Sequence, residues 1–261
     1  MRIVSWNMAG GFAFDPAQHE RAWAWVRDYP ADVFLLQEVV PPGWLTEGVF
    51  ATVHYREKVN HSSTKWGSGV FARSPGWLTY EPVETLPWLG ALAGSCAIAR
   101  PGIAGLPWLA SLHPNAKRMD PAVISNADVT DVVRCDDDDW WEVDLIAHSL
   151  SRLLSGQSFV VGGDLNSSLM LDSGAKLSNA RLFANLREGG FIDLRTPPHP
   201  EPEPPTYFKT GTRPMQLDYL MADPTTASGA TGWTVLSEVV TELGLSDHAP
   251  VQIDVQVGAS R

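Results

Sequence analysis

Apolar runs of strand length recur along the chain, and most end on a polar residue able to bind a metal, move a proton or donate to an anion. Arg2 to Trp6 reads as a first strand with Asn7 at its end. The spacing of Trp23 and Val26 predicts a helix over Pro16 to Asp28, and Ala31 to Gln37 predicts a second buried strand with Glu38 just past it. Further strands are expected at Val49 to Tyr55 and at Gly67 to Arg73, with Glu57 to Lys65 as a loop between them. Ser95 to Arg100 and Pro107 to His113 form a predicted hairpin that delivers His113. Met119 to Arg134 carries no clear period, and Asp136 to Asp139 reads as a solvated loop or the first turn of a helix.

The second half repeats the pattern. Trp140 to Leu154 has helical spacing, with Val143, Ile146, Ala147, Leu150 and Leu154 on the buried face. Phe159 to Val161 is a buried strand that reaches Gly162-Gly163, where the backbone either turns sharply or lets another group come close. Asp164 and Asn166 follow. Ser178 to Glu188 is a helix, with Ser178 as its expected cap and Gly189-Gly190 as its stop. Pro197 to Pro205 is too rich in proline for helix or sheet and is expected to be an extended loop. Thr206 to Phe208, Gln216 to Met221, Trp233 to Val240 and Ala249 to Val257 read as the last strands. Strands outnumber helices, and helical segments fall in both halves, which suggests two packed sheets flanked by helices.

The chain has 261 residues and 44% hydrophobic content, enough for one large core, so a single domain over residues 1–261 is expected. No apolar stretch reaches the ~18 residues of a membrane span. The first residues lack a signal-peptide layout, which favours a cytoplasmic location over a mature secreted form. Cys96 and Cys135 lie far apart without metal spacing, and this fits a reducing compartment. A net charge of -11 argues against a broad basic surface for polyanions. It leaves room for a phosphate substrate, because bound divalent cations invert the sign of an acidic cleft. A Gly-x-Ser-x-Gly elbow, a Walker loop and a His-Glu-x-x-His motif are all absent from the sequence.

Candidate chemistry sits at the strand ends. Alternation puts the Asp164 and Asn166 side chains on one side of the chain, pairing a proton acceptor or metal ligand with an amide donor. Asp247 and His248 meet just before the last strand, whose entry Pro250 fixes. Asp218 is flanked by apolar residues, so it should be partly buried and in need of a partner, and His248 is a natural one. Glu38 is of interest as an oxygen ligand for Mg²⁺.

Taken together, these motifs resemble the endonuclease/exonuclease/phosphatase superfamily, the DNase I-like group. The match runs through Ser5-Trp-Asn7, Leu35-Leu-Gln-Glu-Val39, Gly67 to Arg73, Ser111-Leu-His-Pro-Asn115, Gly162-Gly-Asp-Leu-Asn166, Leu217-Asp-Tyr-Leu220 and Ser246-Asp-His-Ala-Pro250. The resemblance implies an α/β fold, a four-layer αββα sandwich of two mainly antiparallel sheets flanked by helices. It implies metal-dependent cleavage of a phosphate ester by water, with Mg²⁺ as cofactor and Mn²⁺ as an alternative. It assigns Glu38, Asn7 and Asp247 to the metal, and Asp164 to the attacking water. It gives Asn166 and His113 to the phosphate or leaving group, and sets His248, oriented by Asp218, against the phosphate. The implied partner is a phosphate-ester substrate, nucleic acid or small molecule, for a protein expected to be a monomer.

Two departures stand out. Gln216 occupies a position that often carries Arg, which suggests a lost substrate contact, and support for His113 falls to Glu57 or Ser68. Lys117 to Trp140 and the proline-rich loop match nothing in the family and are candidates for setting the substrate. Trp66, Trp88 and Trp140-Trp141 are candidate stacking platforms, with core packing as the alternative for each. The competing function is a non-catalytic binding module on the same scaffold.

Overall fold

A computed structural model describes residues 1–10, 15–47, 49–50, 52–57, 66–73, 79–82, 94–115, 118–119, 124, 129–173, 176–195 and 203–257. In chain order, the first half holds β1 (Arg2–Asn7), α1 (Pro16–Asp28), β2 (Val33–Val39), β3 (Thr52–Glu57), β4 (Gly67–Ala72), β5 (Tyr80–Pro82), β6 (Cys96–Pro101) and β7 (Trp108–Leu112). The second half holds α2 (Glu142–Leu153), β8 (Phe159–Asp164), α3 (Ser178–Glu188), β9 (Ile192–Asp193), β10 (Asp218–Ala222), α4 (Pro224–Ser228), β11 (Ala230–Val235), α5 (Glu238–Thr241) and β12 (Val251–Val255).

Among the described residues the strands form two six-stranded sheets, ordered β11-β12-β1-β2-β4-β3 and β5-β6-β7-β8-β10-β9. Each is built around one parallel pair, β1 with β2 and β7 with β8, while the other described pairings are antiparallel. The central strands are buried on both faces, which explains their continuous apolar runs. Ile3, Leu35, Val70, Leu109, Val160, Leu220 and Val251 fill the space between the sheets. Trp23 and Val26 of α1 pack on the outer side of the first sheet against Trp6, Phe34, Leu36 and Phe71. Val143, Ile146 and Leu150 of α2, with Leu182 and Leu186 of α3, cover the second sheet. The four-layer α/β sandwich expected from the sequence is therefore the one observed.

Two polar contacts pin the sheets together beside the strand ends. The Gln37 Nε2 donates to Ser111 Oγ at 3.0 Å, and Ser111 Oγ donates to the Leu36 carbonyl at 2.8 Å, all wholly buried. The two glycines before Asp164 are not a turn, since β8 runs through them. A Cβ on Gly163 would stand 1.9 Å from the Leu112 carbonyl oxygen, and one on Gly162 would stand 2.7 Å from Leu220 Cδ2 and 2.9 Å from Leu35 Cδ1. They let β7 and the opposite sheet close on β8.

Several local expectations shift. Glu38 lies inside β2, not beyond it, at a register break between Leu36 and Val39, with φ of 49°. Trp233 to Val240 divides: β11 ends at Val235, and α5 takes up Glu238–Thr241. The β-branched Val239-Val240 pair favours a strand locally, but burying Val239 against α1 and its neighbours prevails. Thr206 to Phe208 makes isolated bridges at Tyr207, to Met215 and His248, instead of a strand. Ser178 begins α3, but the Asp172 carboxylate does the capping, accepting from Asn179 N and Ala180 N at 2.9 Å each. The helix α4 was not foreseen; Asp223 caps it and also accepts from Phe159 N at 2.8 Å. Residues 58–65, 88, 120–123, 125–128 and 196–202, on which other expectations fall, lie outside the described residues.

Candidate active site

The ends of β1, β2, β8 and β10, the segment after β7, and the loop into β12 converge on one edge of the sandwich. Asp164 and Asp218 sit directly opposite each other at the heads of β8 and β10. Asn7, wholly buried, accepts from Ala9 N through Oδ1 at 2.9 Å, which turns its amide toward two carboxylates. Its Nδ2 donates to Asp164 Oδ2 at 3.0 Å and to Glu38 Oε1 at 3.2 Å. His113 Nε2 stands 3.3 Å from Glu38 Oε1 and 3.7 Å from Asp164 Oδ2. His248 Nε2 is 3.7 Å from the same Asp164 oxygen, and its Nδ1 lies 2.9 Å from Asp218 Oδ2.

The supporting contacts are local and specific. Asp164 Oδ1 accepts from Asn166 N at 2.7 Å, a short turn that Asn166 closes with φ of 50°. The Asn166 side-chain amide donates to the Pro114 carbonyl at 3.0 Å. Ser246 Oγ donates to the Asn7 carbonyl and accepts from His248 N, so the loop carrying Asp247 and His248 is fastened to β1. Trp6 Nε1 adds a bond to the His248 carbonyl at 2.9 Å. Tyr207 lies 4.8 Å from the His248 ring, and Trp66 meets His113 edge-on at 5.4 Å.

This packing shifts the ionisations. Burial pushes the Glu38 carboxyl up, but the hydrogen bond and charge of His113, the Asn7 amide and the His248 charge outweigh it and hold it at about 2. Burial raises Asp164, with Asp218 adding to the rise against the two imidazoles and the Asn166 N–H. Burial would lower His248, but Asp218 and Asp164, with a smaller push from Asp247, raise it to about 10. The arrangement therefore favours a charged imidazole between two carboxylates.

These groups open into a cleft of about 470 Å³ lined by Glu38, His113, Asp164, Asn166, Asp247 and His248 together with Trp66, Tyr207 and Lys209. Asn7 and Asp218 do not line it; they stand behind and orient what does. Trp66, singled out for stacking, is 2% exposed and packs on His113. Trp140 and Trp141 pack against the core around α2. Tyr207, Lys209, Asn115 and Ala9 also line the cleft. Of these four only Ala9 has a positive φ, 52°; Asn115 closes the Ser111 to Asn115 motif, and neither type nor spacing marks Tyr207 or Lys209 in the sequence. Gln216 is wholly buried, so it faces the protein and not a substrate.

The donors fit a hard divalent cation. Glu38 and Asp247 are partly open carboxylates on the cleft, and magnesium takes oxygen ligands while keeping several waters. Asp164, Asp218 and His248 also bring ligand atoms within 4.8 Å of one another. That group has its imidazole Nδ1 already bonded to Asp218, which lies behind the cleft, so it reads as a hydrogen-bonded relay and not as a cation cage.

The layered fold and its clustered strand ends define a DNase I-like α/β sandwich. The family model described as Endonuclease/Exonuclease/phosphatase family matches residues 4–248, and the chain belongs to that family. No sequence among curated proteins matches it. Among solved structures it is similar to the 3'-5' exonuclease NExo from Neisseria meningitidis, at 18% identity and a TM-score of 0.69, over 98% of this chain and 100% of that one. NExo from Neisseria as a 3' phosphatase, bound to product DNA hairpin, gives 18% identity and 0.68 over 98% and 99%. An AP endonuclease from Archaeoglobus fulgidus gives 15% identity and 0.65 over 98% and 100%. At these identities the likeness speaks for the fold.

Proposed function

We propose that this protein is a divalent-metal-dependent phosphoesterase, with Mg²⁺ as its ion and Mn²⁺ as a substitute, acting on a phosphodiester by in-line attack of water. The supporting observation is the meeting of His113, His248, Glu38 and Asp164 at spacings of 3.3 to 3.7 Å on one cleft. Glu38 and Asp247 would hold the ion, with Asn7 orienting Glu38. Once bound, it would neutralise phosphate charge as a Lewis acid.

The chain's own groups divide the remaining work. Asp164, its pKa raised and its Oδ1 fixed by Asn166 N, takes the proton of the attacking water. Asp218 holds the proton on His248 Nδ1, so that Nε2 faces the cleft and donates to a phosphate oxygen. His113 binds the phosphate or protonates the leaving oxygen. Asn166 donates to a phosphate oxygen after exchanging its bond to the Pro114 carbonyl. The substrate class is nucleic acid or a small phosphodiester, since the similar NExo structure holds DNA. The reading includes a monomer in a reducing cytoplasm, consistent with two buried, free thiols at Cys96 and Cys135.

The test is a panel of plasmid DNA, 3'-phosphorylated oligonucleotides, cyclic and linear nucleotides and an aryl phosphodiester, each with Mg²⁺. Turnover of at least one ester is expected. No turnover on any, with no metal binding by titration, would favour the non-catalytic binding module.

A further inference from the structure

A buried arginine stands behind the site and has no place in the chemistry above. Arg195 follows β9, and its side chain is 2% exposed. Its Nε donates to Asp193 Oδ2 at 2.6 Å, and its Nη1 donates to Gln216 Oε1 at 2.8 Å and to Glu203 Oε1 at 3.3 Å. Its guanidinium lies 5.5 Å from the centre of the Tyr219 ring. Taking a guanidinium and two carboxylates out of water is costly, and well-packed apolar residues often serve stability as well. Burial alone therefore does not explain the cluster; where its bonds lead is more informative.

Two arms run from it toward the cleft. In the first, Gln216 accepts from Arg195 through Oε1 and donates through Nε2 to the Asp218 carbonyl at 3.2 Å. Asp218 is the residue whose carboxylate meets His248 Nδ1. In the second, Glu203 accepts from Ser168 Oγ through its other oxygen at 2.9 Å, and Ser168 lies just beyond Asp164 and Asn166. Tyr219, under the guanidinium, donates from its hydroxyl to the Ser167 carbonyl at 3.2 Å. The two strand heads that carry Asp164 and Asp218 are thus tied to one planar fork of donors. Nη1 serves both arms while Nε holds Asp193; lysine, whose donors all sit on one nitrogen, cannot reproduce that fixed fork.

We infer that Arg195 is a positioning residue: through Gln216 it sets the Asp218 carboxylate that orients His248, and through Glu203 it holds the turn that carries Asn166. This rests on the phosphoesterase reading for its catalytic consequence, but not for its structural one.

The experiment compares Arg195→Lys and Gln216→Met in the wild-type and Asp218→Asn backgrounds. It records kcat, KM, melting temperature and the proton resonance of His248 Nδ1–H. Each variant is expected to lose about tenfold to a hundredfold in kcat, with KM within about threefold, as for a small misplacement of a catalytic group. For Gln216→Met, which cuts only the first arm, the further loss in the Asp218→Asn background should fall below about twofold, because that effect passes through Asp218. The Nδ1–H resonance should move in both variants. Unchanged kcat per folded molecule with a lowered melting temperature would overturn the inference, as would a full multiplicative loss for Gln216→Met in the Asp218→Asn background. Gln216→Met keeps the question open to test if Arg195→Lys fails to fold. If the wild type turns over no ester, the phosphoesterase reading fails, and the resonance still decides on Arg195: an unmoved signal in both variants overturns it.

Discussion

His248 and Asp218 make a claim that pH can test. The imidazole is raised from 6.5 to about 10 in the fold. A raised pKa means that its contribution to stability is complete below pH 6.5, shrinks as pH rises toward 10 and is lost above it. Asp218→Asn should therefore cost about 3 kcal/mol at pH 6, as for a broken buried pair, and far less at about pH 10.5. Urea unfolding in EDTA at both pH values checks this, and an equal cost at both would mean that the buried imidazole is neutral. Asp164→Asn should abolish turnover by about three orders of magnitude while leaving the fold intact, since it removes the proposed base. Near-normal turnover would take it out of that role. Glu38 carries backbone strain as well as charge, at φ of 49° at the register break near the end of β2. Glu38→Gln is expected to erase the rise in melting temperature that Mg²⁺ gives the wild type, with the metal-free fold retained. A fold that collapses without metal, or a metal-induced rise that survives, would contradict the ligand assignment.

At the scale of elements, boundaries depend on partners that lie far off in sequence. Ser178 looks like the cap of α3, yet Asp172 accepts from the first helical N–H groups and Ser178 Oγ donates to Asp136. Asp172→Ala should cost about 1–2 kcal/mol and Ser178→Ala less, by thermal or urea unfolding. Equal costs would return the cap to Ser178. The paired glycines are a similar case. Local chemistry allows either a turn or a close approach, and only the neighbours, the Leu112 carbonyl at Gly163 and the Leu220 and Leu35 side chains at Gly162, decide for approach. Long apolar runs such as those of β1, β2 and β8 were legible because burial on both faces leaves a continuous signal. The short α4 and α5 were not, because a helix of four or five residues leaves almost no period to read.

For the molecule as a whole, the fold was legible because strand ends carrying Asn7, Glu38, His113, Asp164, Asp218 and His248 recur in an order that two stacked sheets can bring to one edge. The roles within that edge were less so. That Asn7 and Asp218 stand behind the cleft, and that Arg195 ties the two strand heads, depends on side-chain directions that no spacing encodes. Among the described residues, no helix is long and apolar enough to cross a membrane. Three carboxylates, Glu38, Asp164 and Asp247, line the cleft, and on the proposed reading a bound cation offsets them when an anionic ester binds. The most direct measurement is ester hydrolysis by the purified protein after chelation and after Mg²⁺ or Mn²⁺ is restored. Loss of turnover on chelation and its recovery on adding either ion is the expected result; undiminished turnover in excess EDTA would contradict it.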